Sequence, residues 1–188
     1  MALGHSPGRR GCQSALHHWN IVDEADCPFL TFRRVEVDVK AGWNMVSVPG
    51  GLSDCENTVA DVFGNQIIAI YFWNAVTKSY NAPTILEPNR GYWVAVTKDK
   101  TITITGTPVT EWICDIFQGW NMIGSAYGDT LDVSNLTTDA DPDPLVRNAI
   151  YHWNPGSKSY ESTSSIVPGE GYWAATTADC QLMLEPPT

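Results

Sequence analysis

The chain carries much of its sequence twice, and this constrains its fold more than any single residue, because both copies must build the same strands around the same core. Gly42-Trp43-Asn44-Met45 recurs as Gly119-Trp120-Asn121-Met122, and Ala69-Ile70-Tyr71-Phe72-Trp73-Asn74 as Ala149-Ile150-Tyr151-His152-Trp153-Asn154. Lys78-Ser79-Tyr80 returns as Lys158-Ser159-Tyr160, and the run from Pro88 to Gly91-Tyr92-Trp93 as Pro168 to Gly171-Tyr172-Trp173. The offset is 77 residues at the first block and 80 afterwards, so the second copy holds three extra residues in a loop. Copy one is assigned to residues 35–106, a linker (TPVTE) to 107–111 and copy two to 112–186. Residues 1–34 form an arm with no counterpart.

Each copy has the grammar of a small β unit. Val35, Val37 and Val39 alternate with Glu36, Asp38 and Lys40, the period of a half-buried strand. Ala41-Gly42 then predicts a hairpin turn into a second strand, Trp43 to Val48. Ser53-x-x-Glu56 reads as a capping box ahead of Val59, Val62 and Phe63, with Gly64-Asn65 as the stop of a short helix. Further strands are expected at Ile67–Asn74, near Tyr80, at Gly91–Thr97 and at Thr101–Thr105. The 15 Gly, 12 Pro and 8 Trp, with only 17% charged residues, favour short strands joined by tight turns. The expected fold is mainly β: two tandem β-sandwich or barrel-like units of five or six strands, each with one short helix.

The two copies can be compared face by face. In the third strand one face carries Ala69, Tyr71 and Trp73, identical to Ala149, Tyr151 and Trp153, and shared packing is the expectation for it, with Tyr71, Trp73, Tyr151 and Trp153 in the core or half-buried at its margin. The other face reads Ile68, Ile70, Phe72 against Asn148, Ile150, His152 and is expected to meet solvent, the sister copy or a ligand, which makes Phe72 and His152 candidate binding residues. In Gly91-Tyr92-Trp93-Val94, alternation sets Tyr92 with Val94 and Val96 and sends Trp93 to the opposite side with Ala95 and Thr97. Trp93 and Trp173 are therefore candidate platforms for sugar rings, whose C–H faces stack on indoles. The competing expectation is that both indoles close the ends of the two cores.

Charge excludes some partners. With 11 basic and 21 acidic residues the chain sums to −10, a surface that repels phosphate backbones and anionic lipids. Nucleic acid and membrane insertion are not expected, and the first 20 residues lack the apolar run of a secretory signal. The histidines are His5, His17, His18 and His152, no serine or cysteine motif pairs a nucleophile with a base, and the chain is expected not to be an enzyme. Cys12, His17, His18 and Cys27 are zinc-type ligands without the C-x2-C spacing of a zinc knuckle. Asp139, Asp141 and Asp143 have the 1,3,5 oxygen spacing of a calcium loop but lack its glycine and its closing glutamate, and a solvated acidic loop is the alternative. Otherwise no cofactor is expected. Five cysteines leave at least one thiol unpaired. Cys114 and Cys180, in the first and last strands of copy two, form a candidate disulfide if those strands are neighbours; two separate buried thiols are the alternative.

The ordered series GWN, an aromatic-WN strand, then Pro followed by GYW resembles a repeat of secreted and cell-surface proteins of bacteria and archaea, found beside enzymes, adhesins and stalk modules. It covers residues 35–186. The resemblance implies an extracellular, non-catalytic β-repeat module, acting as a structural spacer or as an assembly or binding unit, with polysaccharide or neighbouring protein modules as partners. A carbohydrate-binding module is the first alternative and an enzyme of unknown type the second.

Overall fold

The computed structural model describes residues 33–52, 57–107, 109–125 and 127–184. The first repeat supplies β1 (Arg33–Val39), β2 (Gly42–Ser47), the helix α1 (Val59–Phe63), β3 (Ala69–Asn74), β4 (Ser79–Asn81), β5 (Gly91–Val96) and β6 (Lys100–Gly106). The second supplies β7 (Ile113–Ile116), β8 (Gly119–Gly124), β9 (Leu131–Asp132), β10 (Leu136–Thr138), β11 (Leu145–Asn154), β12 (Ser159–Ser162), β13 (Ser165–Ile166), β14 (Gly171–Thr176) and β15 (Cys180–Leu184). The molecule is mainly β, as its alternating apolar patterns require.

Strand order is shared between the repeats. The larger sheet of the first runs β2-β5-β3-β4, and that of the second β8-β14-β11-β12. Beside them, β1 pairs with β6 and β7 with β15, and β10 adds to the free edge of β15; all of these pairings are antiparallel. In the first repeat Val37, Val39, Ile102 and Ile104 of the small sheet meet Val46, Ile70, Tyr92 and Val94 of the large one, with Phe63 of α1 in the same core. In the second, Ile116 and Leu182 meet Ile123, Ile150, Tyr172 and Ala174.

The hairpin expected between β1 and β2 does not form. Gly42, at φ +101°, turns the chain out of one sheet into the other, a backbone conformation that costs a glycine little. The Asn44 side chain holds the corner: its Oδ1 accepts from Lys40 N at 2.9 Å and its Nδ2 donates to the Lys40 and Gly42 carbonyls. Gly119, at φ +100°, and Asn121, bonded to Phe117 N, Phe117 O and Gly119 O, make the same corner in the second repeat. Asp99 and Asp179 accept from Ala41 N and Gln118 N outside each corner. β1 pairs instead with the distant β6, and β7 with β15, so each unit is closed by strands from its two chain ends.

The helix also differs from expectation. Thr58 is the N-cap of α1 and forms a capping box with Asp61, and Gly64 is the C-cap. The capping box expected at Ser53 and Glu56 lies outside the described residues. Among its described residues the second repeat has only a three-residue 3-10 turn, Val133–Asn135, capped by Asp132. Its flanks, Leu131–Asp132 and Leu136–Thr138, are committed to pairing with β13 and β15, and Pro142 and Pro144 downstream cannot donate to a helix.

The candidate disulfide is also corrected. β7 and β15 are neighbours, and both thiols turn toward the core. The register, however, sets Cys114 opposite Leu182 and Cys180 opposite Ile116, so the cysteines are diagonal, at a separation of about 7–8 Å typical of such pairs. Both are free, and a diagonal pair falls beyond the roughly 4.4–6.8 Å Cα separation that a disulfide spans.

Candidate functional site

The repeats meet through contacts that are reciprocal, each made once from either side. Ser47 N donates to Gly169 O at 2.8 Å, and Gly124 N to Asn89 O at 3.2 Å. Val46 bridges Glu170, and Ile123 bridges Arg90. A Cβ on Gly91 would lie 2.7 Å from Ile123 O, and one on Gly171 would lie 2.8 Å from Val46 O, so the glycine of each GYW motif admits the backbone of the other repeat. Trp73 Nε1 donates to Trp120 O and Trp153 Nε1 to Trp43 O, both at 3.0 Å.

Ten aromatic side chains cover this seam. The first pocket, of about 420 Å³, is lined by Trp43, Tyr71, Tyr80 and Trp93 of the first repeat with Trp153 and Tyr160 of the second. The second, of about 440 Å³, is lined by Trp120, Tyr151, Tyr160 and Trp173 of the second repeat with Trp73 and Tyr80 of the first. Each pocket needs both repeats, and Tyr80 and Tyr160 serve both. The rings stand as walls: Trp43 and Trp93 are 6.4 Å apart between centroids at 87°, and Trp93 and Trp153 5.3 Å apart at 77°. Trp120 with Trp173 (85°) and Trp73 with Trp173 (70°) repeat this in the second pocket. Edge-to-face packing of this kind stabilises the walls by about 0.5–1.5 kcal/mol per pair beyond their burial.

Each repeated motif now has a local reason. In GWN the glycine and asparagine turn the corner and the tryptophan enters a pocket. In the WN strand the tryptophan bonds the other repeat, while Asn74 Oδ1 accepts from Val76 N and Thr77 N, and Asn154 Oδ1 from Gly156 N and Ser157 N, to shape the following turn. Lys78 and Lys158 take the positive-φ position that closes that turn, which puts Tyr80 and Tyr160 over the seam. In GYW the tyrosine is buried, its hydroxyl accepting from Glu87 N or Val167 N at 2.7 Å, and burial pushes the Tyr92 phenol up to about 12.

The third strands meet the expectation only in part: Trp73, Tyr151 and Trp153 are half-buried, but at the seam rather than in a core. Ile70 and Ile150 lie in the cores and Phe72 packs against one, whereas the identical face, Tyr71, Trp73, Tyr151 and Trp153, forms the pockets. A reciprocal junction demands the same residues from both repeats as strongly as a core does. Trp93 and Trp173 do point away from the cores and line the pockets, partly buried rather than free platforms. Phe72 and His152 line neither. Arg90 lies 4.5 Å over the Phe72 ring, and at the equivalent positions His152 Nδ1 faces Glu170 Oε2 at 3.9 Å, so both members of this neighbouring pair differ between the repeats. His152, also 3.5 Å from Glu161, borders a third cavity of about 270 Å³ that includes Glu36, Asp38 and Glu170.

The three aspartates do not converge on an ion. Asp143 accepts from Thr138 Oγ1 and Leu145 N and pairs with Arg147 at 2.6 Å, and the Leu145 N–H bond is the main cause holding its carboxyl below the usual range. Asp139 accepts from Gln181 N across the strand edge, and among the described residues no group of three acidic, histidine or cysteine side chains is placed to hold a metal. Cys12, His17, His18 and Cys27 lie outside the described residues. Trp43, Trp120, Tyr71, Tyr151, Tyr80, Tyr160, Trp73 and Trp153 were not singled out as site residues by sequence reasoning; their signal was identity between the copies. No protein-family model, curated protein or solved structure matches the chain.

Proposed function

We propose that the chain is a non-catalytic binding module of a secreted or cell-surface protein, with the two seam pockets as its ligand sites. One observation carries this reading: Trp43, Trp120, Tyr80 and Tyr160 keep 45–48% of their surface in water while surrounded by apolar rings they could have been buried among. A spacer has no use for two open, reciprocal pockets. The linings contain no carboxylate, imidazole, thiol or amine, which supports binding over catalysis. The carbohydrate alternative draws support from the exposed faces of Trp43 and Trp120.

The test is a panel of soluble oligosaccharides and small organic cations, read by tryptophan fluorescence and by melting temperature. At least one compound should change the emission of the native chain. Trp43→Ala, which removes a half-exposed ring whose carbonyl still serves Trp153, should lose the response, with a fall in melting temperature no larger than the loss of its two ring contacts implies. A panel without any response would favour the spacer role.

A further inference from the structure

Resting on the reading of the seam pockets as ligand sites, we infer that their ligand is a quaternary ammonium group, and that the first pocket takes it in preference to the second. The walls argue for a cation. Trp43, Trp93 and Trp153 stand nearly at right angles in succession, with Tyr71 tilted at 45° to Trp43 and Tyr160 at 66° to Trp153. Such a box cannot offer one broad stacking plane to a sugar ring, but it surrounds a compact, roughly spherical group. Ring faces are electron-rich, and a methylated ammonium, weakly hydrated, gains from several of them at once.

The polar inventory agrees. A sugar needs amides and carboxylates beside the rings for its hydroxyls, and all six lining residues of either pocket are aromatic. Three of the indole donors are already committed: Trp73 and Trp153 to carbonyls across the seam and Trp173 to the Tyr160 hydroxyl. A trimethylammonium group asks for no hydrogen bond. The net charge of −10 draws cations toward the molecule and disfavours anions.

The pockets are not equal. Lys78 ties its ammonium to the Gln118 carbonyl at 2.9 Å, two residues before Trp120, where it opposes a second cation near the second pocket. At the matching corner nothing lies within 4 Å of a Cβ built on Gly42, and the lysine of that corner, Lys40, has its charge offset by Asp99 at 3.2 Å.

The experiment titrates the full chain with choline and with its neutral isostere 3,3-dimethyl-1-butanol at constant ionic strength, by calorimetry and fluorescence. Choline should bind at least about tenfold more tightly than the alcohol. Trp43→Ala should weaken choline more than Trp120→Ala does, and Lys78→Met should strengthen the weaker site. Fluorotryptophan-labelled protein, its ring faces electron-poor, should lose affinity for choline and keep that for the alcohol. A peptide bearing trimethyl-lysine, set beside free choline, separates a protein-borne source from a small metabolite. Equal binding of choline and the alcohol would overturn the cation inference and leave the binding reading intact. Binding of an oligosaccharide in place of choline would do the same, and no binding of any probe would remove both.

Discussion

Ser47 and Gly124 occupy equivalent positions and face each other across the seam, where a Cβ on Gly124 would sit 2.1 Å from Ser47 Cβ. There is room for one side chain, and Ser47 has taken it with its hydroxyl buried and unpartnered. Gly124→Ala should therefore destabilise the chain by about 1–3 kcal/mol, the range for an overpacked site, as read from chemical denaturation. Adding Ser47→Gly should recover most of that loss; two costs that simply add would show that the residues do not compete. Single residues also mark the limit of what the sequence reveals. Alternation correctly separated Trp93 from Tyr92, yet it cannot say which of two faces is the core. The face of Tyr71 and Trp73 packs at the seam rather than in its own core, because identity between copies has two physical causes, a shared core and a shared reciprocal junction.

Among the elements, the corners decide the topology. Asn121 satisfies Phe117 N, Phe117 O and Gly119 O from one buried side chain, so Asn121→Ala leaves part-buried backbone groups unpaired. The expected cost is about 2–3 kcal/mol, with hydrogen exchange accelerated at β7 and β8 before the rest of the second repeat. Uniform acceleration throughout that repeat would contradict a local corner. The strands themselves were legible from period two, and so was α1 with its Gly64 stop. Their partners were not, because Ala41-Gly42 resembles a tight hairpin turn until the asparagine two residues on is recognised as a staple. The disulfide expectation failed on register for a similar reason: β7 and β15 are adjacent, but a two-residue shift is invisible in spacing.

For the whole molecule, burial sets a limit at high pH. The Cys114 thiol is pushed from 9.0 to about 12 and the Tyr92 phenol from 10.0 to about 12, and the Tyr172 phenol is raised as well, each chiefly by desolvation. Groups that hold their protons more tightly when folded stabilise fully below the unfolded values and less as pH rises through the folded ones. The melting temperature should thus fall between pH 9 and about 12, and Cys114→Ser should flatten the decline; an unchanged slope would contradict the assignment. Assembly gives a second prediction. Residues 35–106 or 112–184 produced alone should show no pocket-dependent fluorescence response, since each pocket takes walls from both repeats. Mixing the halves should restore it, and a response from either half alone would place the ligand elsewhere.

The reciprocity of the seam has a consequence for how such a site is maintained. Two separate single-repeat chains could make the same contacts as a symmetric dimer, but would come apart on dilution. Residues 107–111 make that encounter intramolecular, equivalent to a local concentration on the order of millimolar for a short tether, so the pockets persist at any protein level. Covalent pairing also removes the obligation of the halves to stay alike. Phe72 with Arg90 has become His152 with Glu170, and ten acidic against two basic residues in 112–186 contrast with seven against five in 35–106. A dimer of identical subunits could not hold two unlike sites; a tethered pair can tune one pocket while the other keeps working.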